Sequence, residues 1–305
     1  MAALIDAAGG AAPRWYAHRL NRPTVYRAGA LLARVLPRPA RLALAGALAR
    51  RAASWFPTER KHVAANLARV RPQASEAERG ALVDDVFRHF AVCFADLVST
   101  NRRRQRPDRL VAHIEGDEHL LAAAATGGGL VLLTAHLGNW ELGGRLLAAR
   151  LGRPTHVVVA AEADLRVEHF LRGGPSPVRF VRLGDPTVML SLVPALRRGE
   201  LVALQGDRAL GTRGDTRVDF LGAPAPFPRG PFVLARAAGV PIVPAFCLLD
   251  AGRRYRVVMA APIHVGPDGD GAALGQWVAV LERLVRRAPE QWFNFYDVWS
   301  TAPAS

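Results

Sequence analysis

His136 and Glu141 are separated by four residues in the stretch GGGLVLLTAHLGNWELGG, Gly127 to Gly144. A neutral imidazole can take the proton of an attacking hydroxyl near pH 7. A carboxylate behind the ring fixes its tautomer and stabilises the imidazolium that forms. The pair therefore reads as the base and orienter of a triad, with His136 as general base and Glu141 as its orienting carboxylate. A substrate hydroxyl takes the place of the serine, so no enzyme nucleophile is required. The alternative is a structural histidine beside a carboxylate. Asn139 between them either caps the following helix or donates to substrate. Asp207-Arg208 is the next polar pair. Its arginine matches phosphate geometry as a planar fork, or pairs with Asp207. Arg229-Gly230 closes a turn into a helix, where a cation is unfavourable unless an anion shares the site. Asn139, Asp207, Arg208, Arg229 and Gly230 are the expected substrate-binding residues.

These residues need elements to hold them. Leu130–Thr134 is a short apolar run ending two residues before His136, as a buried strand would. Helical character resumes near Asn139, so Glu141 falls in a first helical turn, where the helix dipole favours a carboxylate. Further short apolar runs at 156–160, 178–181, 201–205, 240–249 and 254–260 read as strands. Helical stretches are expected at 140–151, 163–172, 187–198, 231–238 and 272–288. Such alternation predicts an α/β fold, a mixed sheet flanked by helices, with ligands at the carboxyl ends of the strands. Residues 14–100 read as helical. Ser75 and Glu78 form a Ser-x-x-Glu capping box there, and Pro37 and Pro39 break the Ala28–Leu48 stretch. The boundary is set at 105: a helical region at 1–105 and an α/β core at 106–305. Arg102–Arg104 reads as a solvated connector or as a contact to lipid phosphates. Trp292–Trp299 alternates like an edge strand and is read as core packing.

Composition narrows the partners. The chain of 305 residues has a formal net charge of +14 and only one lysine, Lys61. Arginine carries the rest, in the manner of a GC-rich genome. An anionic partner follows, either nucleic acid or an anionic membrane surface. The arginines are spread along the chain and no nucleic-acid module is present, so the expectation is membrane and no nucleic acid. No serine stands in a Gly-x-Ser-x-Gly elbow, which excludes the usual serine hydrolase. The two cysteines, Cys93 and Cys247, are far apart and lack ligand spacing, so no metal or disulfide framework is expected. No apolar run reaches the roughly 18 to 20 residues that span a bilayer.

The stretch His136-Leu-Gly-Asn-Trp-Glu141 resembles the His-x4-Asp/Glu motif of the lipid A late acyltransferase family, which includes mycobacterial phosphatidylinositol mannoside acyltransferases. The resemblance extends over most of the chain. It includes Arg60–Leu67 with its Asn66-Leu67, Gly199–Arg208, Phe220–Gly230, Gly239–Pro244 and Pro289–Trp299. Two segments depart from the lipid A enzymes: Val159-Ala-Ala-Glu162, where Tyr-Arg-Pro is usual, and the ending Phe-Tyr-Asp-Val-Trp299. A relative acting on another lipid is therefore at least as consistent. The resemblance implies transfer of a fatty acyl group from an acyl thioester to a hydroxyl of a lipid or glycolipid acceptor. The thioester rides on acyl carrier protein or coenzyme A as co-substrate, and no cofactor or metal is implied. The implied location is the cytoplasmic face of the bacterial inner membrane, as a peripheral or monotopic protein. A non-catalytic relative that only binds membrane lipid is the alternative.

Overall fold

The computed structural model describes residues 28–29, 31–32, 35–100, 107–159, 178–183 and 186–300. The described part of the chain ahead of the first strand includes the helices α1 (Arg38–Ala52), α2 (Pro57–Val70) and α3 (Glu76–Thr100). Proline sets the starts of the first two, with Pro39 early in α1 and Pro57 at the head of α2. There the missing N–H costs nothing. The capping box starts α3. Ser75 N–H donates to the Glu78 carboxylate at 2.8 Å, and Glu78 N–H donates back to Ser75 Oγ at 3.3 Å. The expected helix at 163–172, the Arg102–Arg104 run and most of residues 14–34 lie outside the described residues.

A seven-stranded mixed sheet follows, in the order β1-β9-β8-β2-β5-β3-β4. Its strands are β1 (Val111–Glu115), β2 (Leu130–Thr134), β3 (Thr155–Val159), β4 (Val178–Arg182), β5 (Leu201–Gln205), β8 (Ile242–Leu249) and β9 (Tyr255–Met259). Strands β8, β2, β5, β3 and β4 are mutually parallel. β9 runs antiparallel to β8, and β1 pairs with β9 in parallel. Helices α4 (Asp117–Ala125), α5 (Trp140–Leu151), α6 (Pro186–Arg197), α7 (Gly230–Ala238) and α8 (Asp270–Arg287) complete the α/β arrangement. Both faces of the central strands are buried, which is why β2, β5 and β8 read as continuous apolar runs.

Strand β1 and helix α4 are not among the elements expected from the sequence, and two further features depart from that expectation. β6 (Asp215–Phe220) and β7 (Ala223–Pro228) form a separate hairpin that the sequence reading left out. The three prolines of β7 argue against a strand at first sight. They fall at alternate positions, Pro224, Pro226 and Pro228, so all their missing N–H groups belong to the same edge of the strand. Nor is Trp292–Trp299 an edge strand. It is irregular chain with one bridge, Leu137 to Trp292. Its alternation serves ring packing: Phe293 and Phe295 meet Phe90 at 5.4 and 5.2 Å between centroids, and Trp292 and Trp299 flank Phe220.

One apolar cluster runs from Leu42 in α1 through the sheet to Val298. A buried asparagine on α2 ties the helical region to the chain end. Asn66 Nδ2 donates to the carbonyls of Asn294 and Tyr296 at 3.0 and 2.8 Å, and Oδ1 accepts the N–H of Val298 at 3.3 Å. Only a side chain with donors and an acceptor can do both. Asn66→Ala would strand these buried backbone groups, so we expect a loss of about 2 kcal/mol or more in urea unfolding. A loss under about 0.5 kcal/mol would show that the C-terminal segment is held by its aromatic rings alone.

Candidate active site

Strands β2 and β5 carry the same pattern, Leu-Val-Leu-Leu-Thr-Ala-His136 and Leu-Val-Ala-Leu-Gln-Gly-Asp207. They pair in parallel with Thr134 opposite Gln205. Two residues further on, at the carboxyl ends of both strands, His136 stands opposite Asp207. The ring donates through Nδ1 to Asp207 Oδ1 at 2.8 Å, and the backbone N–H of His136 donates to Oδ2 of the same carboxylate at 3.1 Å. The carboxylate bonded to the His136 ring is therefore Asp207, where Glu141 was expected. Expectation and structure differ because Asn139 turns the chain into α5, which carries Glu141 onto the helix beside Arg145. The signal that would have identified Asp207 was the parallel pattern of the two strands.

The loop around His136 is fixed at every residue. The carbonyl of His136 accepts the N–H of Phe293 at 2.8 Å, Gly138 N–H donates to Gln291 O at 2.9 Å, and Asn139 N–H donates to Cys247 O at 2.7 Å. Gly138 has φ 67°, and a Cβ there would lie 2.2 Å from the Cys247 carbonyl oxygen. Only glycine fits. Asn139 is the N-cap of α5: its Oδ1 accepts the N–H of Leu142 at 3.3 Å, while Nδ2 donates to Cys93 O and to the Tyr255 hydroxyl. Of the two roles expected for Asn139, the cap is the one its contacts fill.

Asp207 is clamped from behind by Asn294, whose Nδ2 donates to Oδ2 at 3.1 Å. Arg208 holds that clamp in turn, donating Nε–H to Asn294 Oδ1 and Nη2–H to Phe293 O, each at 2.8 Å. Its guanidinium also lies 5.7 Å from the centre of the Tyr296 ring. Arg208, expected from the sequence to bind substrate or to pair with Asp207, braces the C-terminal segment beside His136. Arg229 and Gly230 stand at the start of α7. Arg229 pairs with Asp270 at 3.2 Å, and Arg236 reaches the same carboxylate at 2.8 Å. The anion expected beside Arg229 is therefore supplied by α8. Asn66, Gln291 and Asn294, which hold the site together, were not singled out as site residues; they lie in segments that carry the family resemblance, and that is the signal that could have found them.

Electrostatics set the protonation state. Burial pushes the His136 imidazole down, the nearby Arg208 charge pushes it further, and Asp207 pulls it partly back, to about 4. Burial would raise the Asp207 carboxyl, but His136, Arg208 and Asn294 outweigh it and hold it below the usual range. At neutral pH the carboxylate is charged and the ring is neutral. The Nδ1–H then donates to Asp207, and the lone pair sits on Nε2. Trp140 packs on the ring at 4.8 Å.

Beyond Trp140 an apolar cavity opens between α5 and one face of the sheet. Alternate strand residues floor it: Leu132 and Thr134, Val157 and Val159, Ala203 and Gln205, Ala245 and Cys247. Trp140, Gly144 and Leu147 of α5 roof it, and Glu141 and Arg145 are its charged lining. Gly143 lets the roof come down on β8, since a Cβ there would sit 2.9 Å from Cys247 Cβ. Among the described residues, no group of three or more His, Cys, Asp or Glu side chains is placed to hold a metal ion.

Residues 20–301 match the family described as bacterial lipid A biosynthesis acyltransferase. A phosphatidylinositol mannoside acyltransferase of Mycobacterium tuberculosis (strain CDC 1551 / Oshkosh) is 30% identical over 207 residues, 66% of this chain and 64% of the relative. This chain thus spans just under two thirds of that relative's length. One of Mycolicibacterium smegmatis is 30% identical over 293 residues, 90% of each chain. The lipid A biosynthesis palmitoleoyltransferase of Escherichia coli K12 is 24% identical over 237 residues, 76% of each.

The low imidazole pKa has a signed consequence. An ordinary histidine near 6.5 binds a proton as pH falls below that value; His136 does not until about 4. The unfolded chain therefore binds more protons in that window, and stability declines as pH drops from 6.5 toward 4. The base, by contrast, stays available there. We expect the acid limb of kcat/KM to have its midpoint below pH 5.5; a midpoint near 6.5 would contradict the buried, neutral ring.

Proposed function

This chain belongs to the bacterial lipid A biosynthesis acyltransferase family, and we propose that it transfers a fatty acyl group from a thioester to a hydroxyl of a lipid or glycolipid. The observation that carries this reading is the Asp207–His136 pair, whose ring packs against Trp140, a residue that also lines an apolar cavity. The acceptor hydroxyl gives its proton to His136 Nε2 as its oxygen attacks the thioester carbonyl. A C–O bond forms and the C–S bond breaks. The proton then passes from the imidazolium to the departing thiolate. Asp207 keeps the ring in the productive tautomer and balances its transient charge. The acyl chain lies in the cavity under α5, and the donor is acyl carrier protein or coenzyme A. The relatives' names, phosphatidylinositol mannoside and lipid A, support a glycolipid acceptor.

The reaction needs a membrane acceptor, and the helical region offers a surface for it. Val35 is 75% exposed, Trp55 67% and Leu48 57%, with Arg50 and Arg51 exposed beside them. Apolar side chains enter the interface and arginines meet anionic head groups. Among the described residues no helix is long and apolar enough to cross a membrane, so the reading is peripheral or monotopic attachment at the cytoplasmic face.

Two experiments test these readings. His136→Ala should lower kcat by about 10²–10⁴-fold in a folded protein. Asp207→Asn should approach it, and Glu141→Gln should lose far less. A folded His136→Ala variant with more than half of wild-type activity would sink the acyltransferase reading, and Glu141→Gln falling below Asp207→Asn would reverse the two carboxylates. For the membrane, changing Val35, Leu48 and Trp55 together to Glu should weaken binding to anionic vesicles by about tenfold or more, given that each apolar side chain loses about 1.5–3 kcal/mol of burial. Unchanged binding would place the contact elsewhere.

A further inference from the structure

The capping residue of α5 is wired to the far side of the molecule. Arg38, at the start of α1, grips the fully buried carboxylate of Asp96 on α3 with two bonds, Nε–H to Oδ1 at 3.0 Å and Nη2–H to Oδ2 at 2.7 Å. Arg41 stands 3.9 Å from the same carboxylate and donates to Ser99. The Tyr255 hydroxyl on β9 donates to Asp96 Oδ2 at 2.9 Å and accepts the Asn139 amide N–H at 3.1 Å. The direction of this chain is forced. Arginine only donates, a carboxylate only accepts, and so the phenol proton must point to Asp96 and its lone pair to Asn139. Burial holds the Tyr255 phenol well above its usual pKa, so that proton is always present.

The choice of residue at 139 fits the same end. Ser, Thr, Asp and Asn all cap helices well. Only Asn among them can cap with its oxygen while its nitrogen donates to two further acceptors. Its amide is held on both sides: Oδ1 by Leu142 N–H, and Nδ2 by Tyr255 Oη and by Cys93 O, one turn from Asp96 on α3. The side chain cannot flip without losing these bonds. Asn139 lies three residues from the base, on the loop whose height determines where Nε2 sits.

We propose that Asp96 and Tyr255 are positioning residues for acyl transfer: the buried chain Arg38–Asp96–Tyr255–Asn139 sets the His136 loop and makes the docking of α1 a condition of a correctly placed base. The inference rests on the acyltransferase reading above. α1 is also the helix that presents Leu48 to solvent, so the element that meets the membrane in that reading is the one the chain secures to the active site. Networks of this kind act as units, and misplacement of a reacting group by about 1 Å can cost about 100-fold in rate.

A double-mutant cycle in kcat tests it. Arg38→Ala and Tyr255→Phe should each lower kcat by about tenfold or more in a folded protein, with KM for donor and acceptor changed by less than about twofold. Once Tyr255→Phe has cut the chain, adding Arg38→Ala should lower kcat by no more than about a further twofold. A merely structural role would move melting temperature but give losses that multiply, or would appear in KM. Either pattern overturns the proposal, as does a folded Tyr255→Phe variant with kcat within twofold of wild type. If Tyr255→Phe does not fold, Arg38→Lys and Arg38→Ala carry the test: the fork-forming pair of bonds is lost in both, so both must lose kcat, and wild-type kcat in either overturns the chain. The function and the chain fail separately. A wild type that transfers no acyl group, or a His136→Ala variant that still does, overturns the function and the chain with it; an active wild type beside a fully active Tyr255→Phe overturns the chain alone.

Discussion

One carboxylate holds His136 in two ways. Asp207 accepts the ring Nδ1–H of His136 on Oδ1 and its backbone N–H on Oδ2. Ring orientation and loop height are thus fixed by the same group. That is possible only because β2 and β5 are parallel neighbours in register, so that residues two beyond each strand end face one another. Much of the surrounding structure keeps that arrangement in place. Asn294 holds the carboxylate, Arg208 holds Asn294, and Asn66 holds the backbone of the segment that carries Asn294. On the other side of the ring, Gly138 lets the loop lie against β8, and Asn139 turns it into α5.

Burial sets the protonation state of His136. A histidine ion-paired with a carboxylate would ordinarily become more basic. Here desolvation and the Arg208 charge outweigh Asp207, and the ring stays neutral. A neutral ring can accept a proton, and the carboxylate stands ready to balance the charge once it has done so. Trp140, which packs on that ring, also lines the apolar cavity under α5, where residues of β2, β3, β4, β5 and β8 present one side of the sheet. In the proposed reaction the apolar chain and the proton transfer thus share one water-poor space.

The fold was legible in the sequence where a single period dominates. β2 and β5 have the bounds expected of them, and α5 begins and ends as its pattern implies, because both faces of those strands and one face of that helix are buried. Legibility failed where another rule intervened. The β6–β7 hairpin hid behind prolines that its free edge tolerates, and Trp292–Trp299 imitated a strand because alternate rings pack on two sides of an irregular chain. In the site, His136 stood out through its glycines and its place after a strand. Its partner did not, because a helical first turn made Glu141 the nearer carboxylate in sequence while strand register made Asp207 the nearer one in space. Asn294, 87 residues from Asp207, is a contact that no local pattern encodes.

The central claim is that His136 rests as a neutral base, protonated on Nδ1 and held there by Asp207. Two-bond proton–nitrogen correlation spectra of histidine-labelled protein, with His136→Gln to assign the ring, measure this directly. The account predicts a neutral Nδ1–H tautomer at pH 7 that persists as the pH is lowered to 5.5 and is lost in Asp207→Asn. An imidazolium at pH 7, or a ring protonated on Nε2, would contradict it.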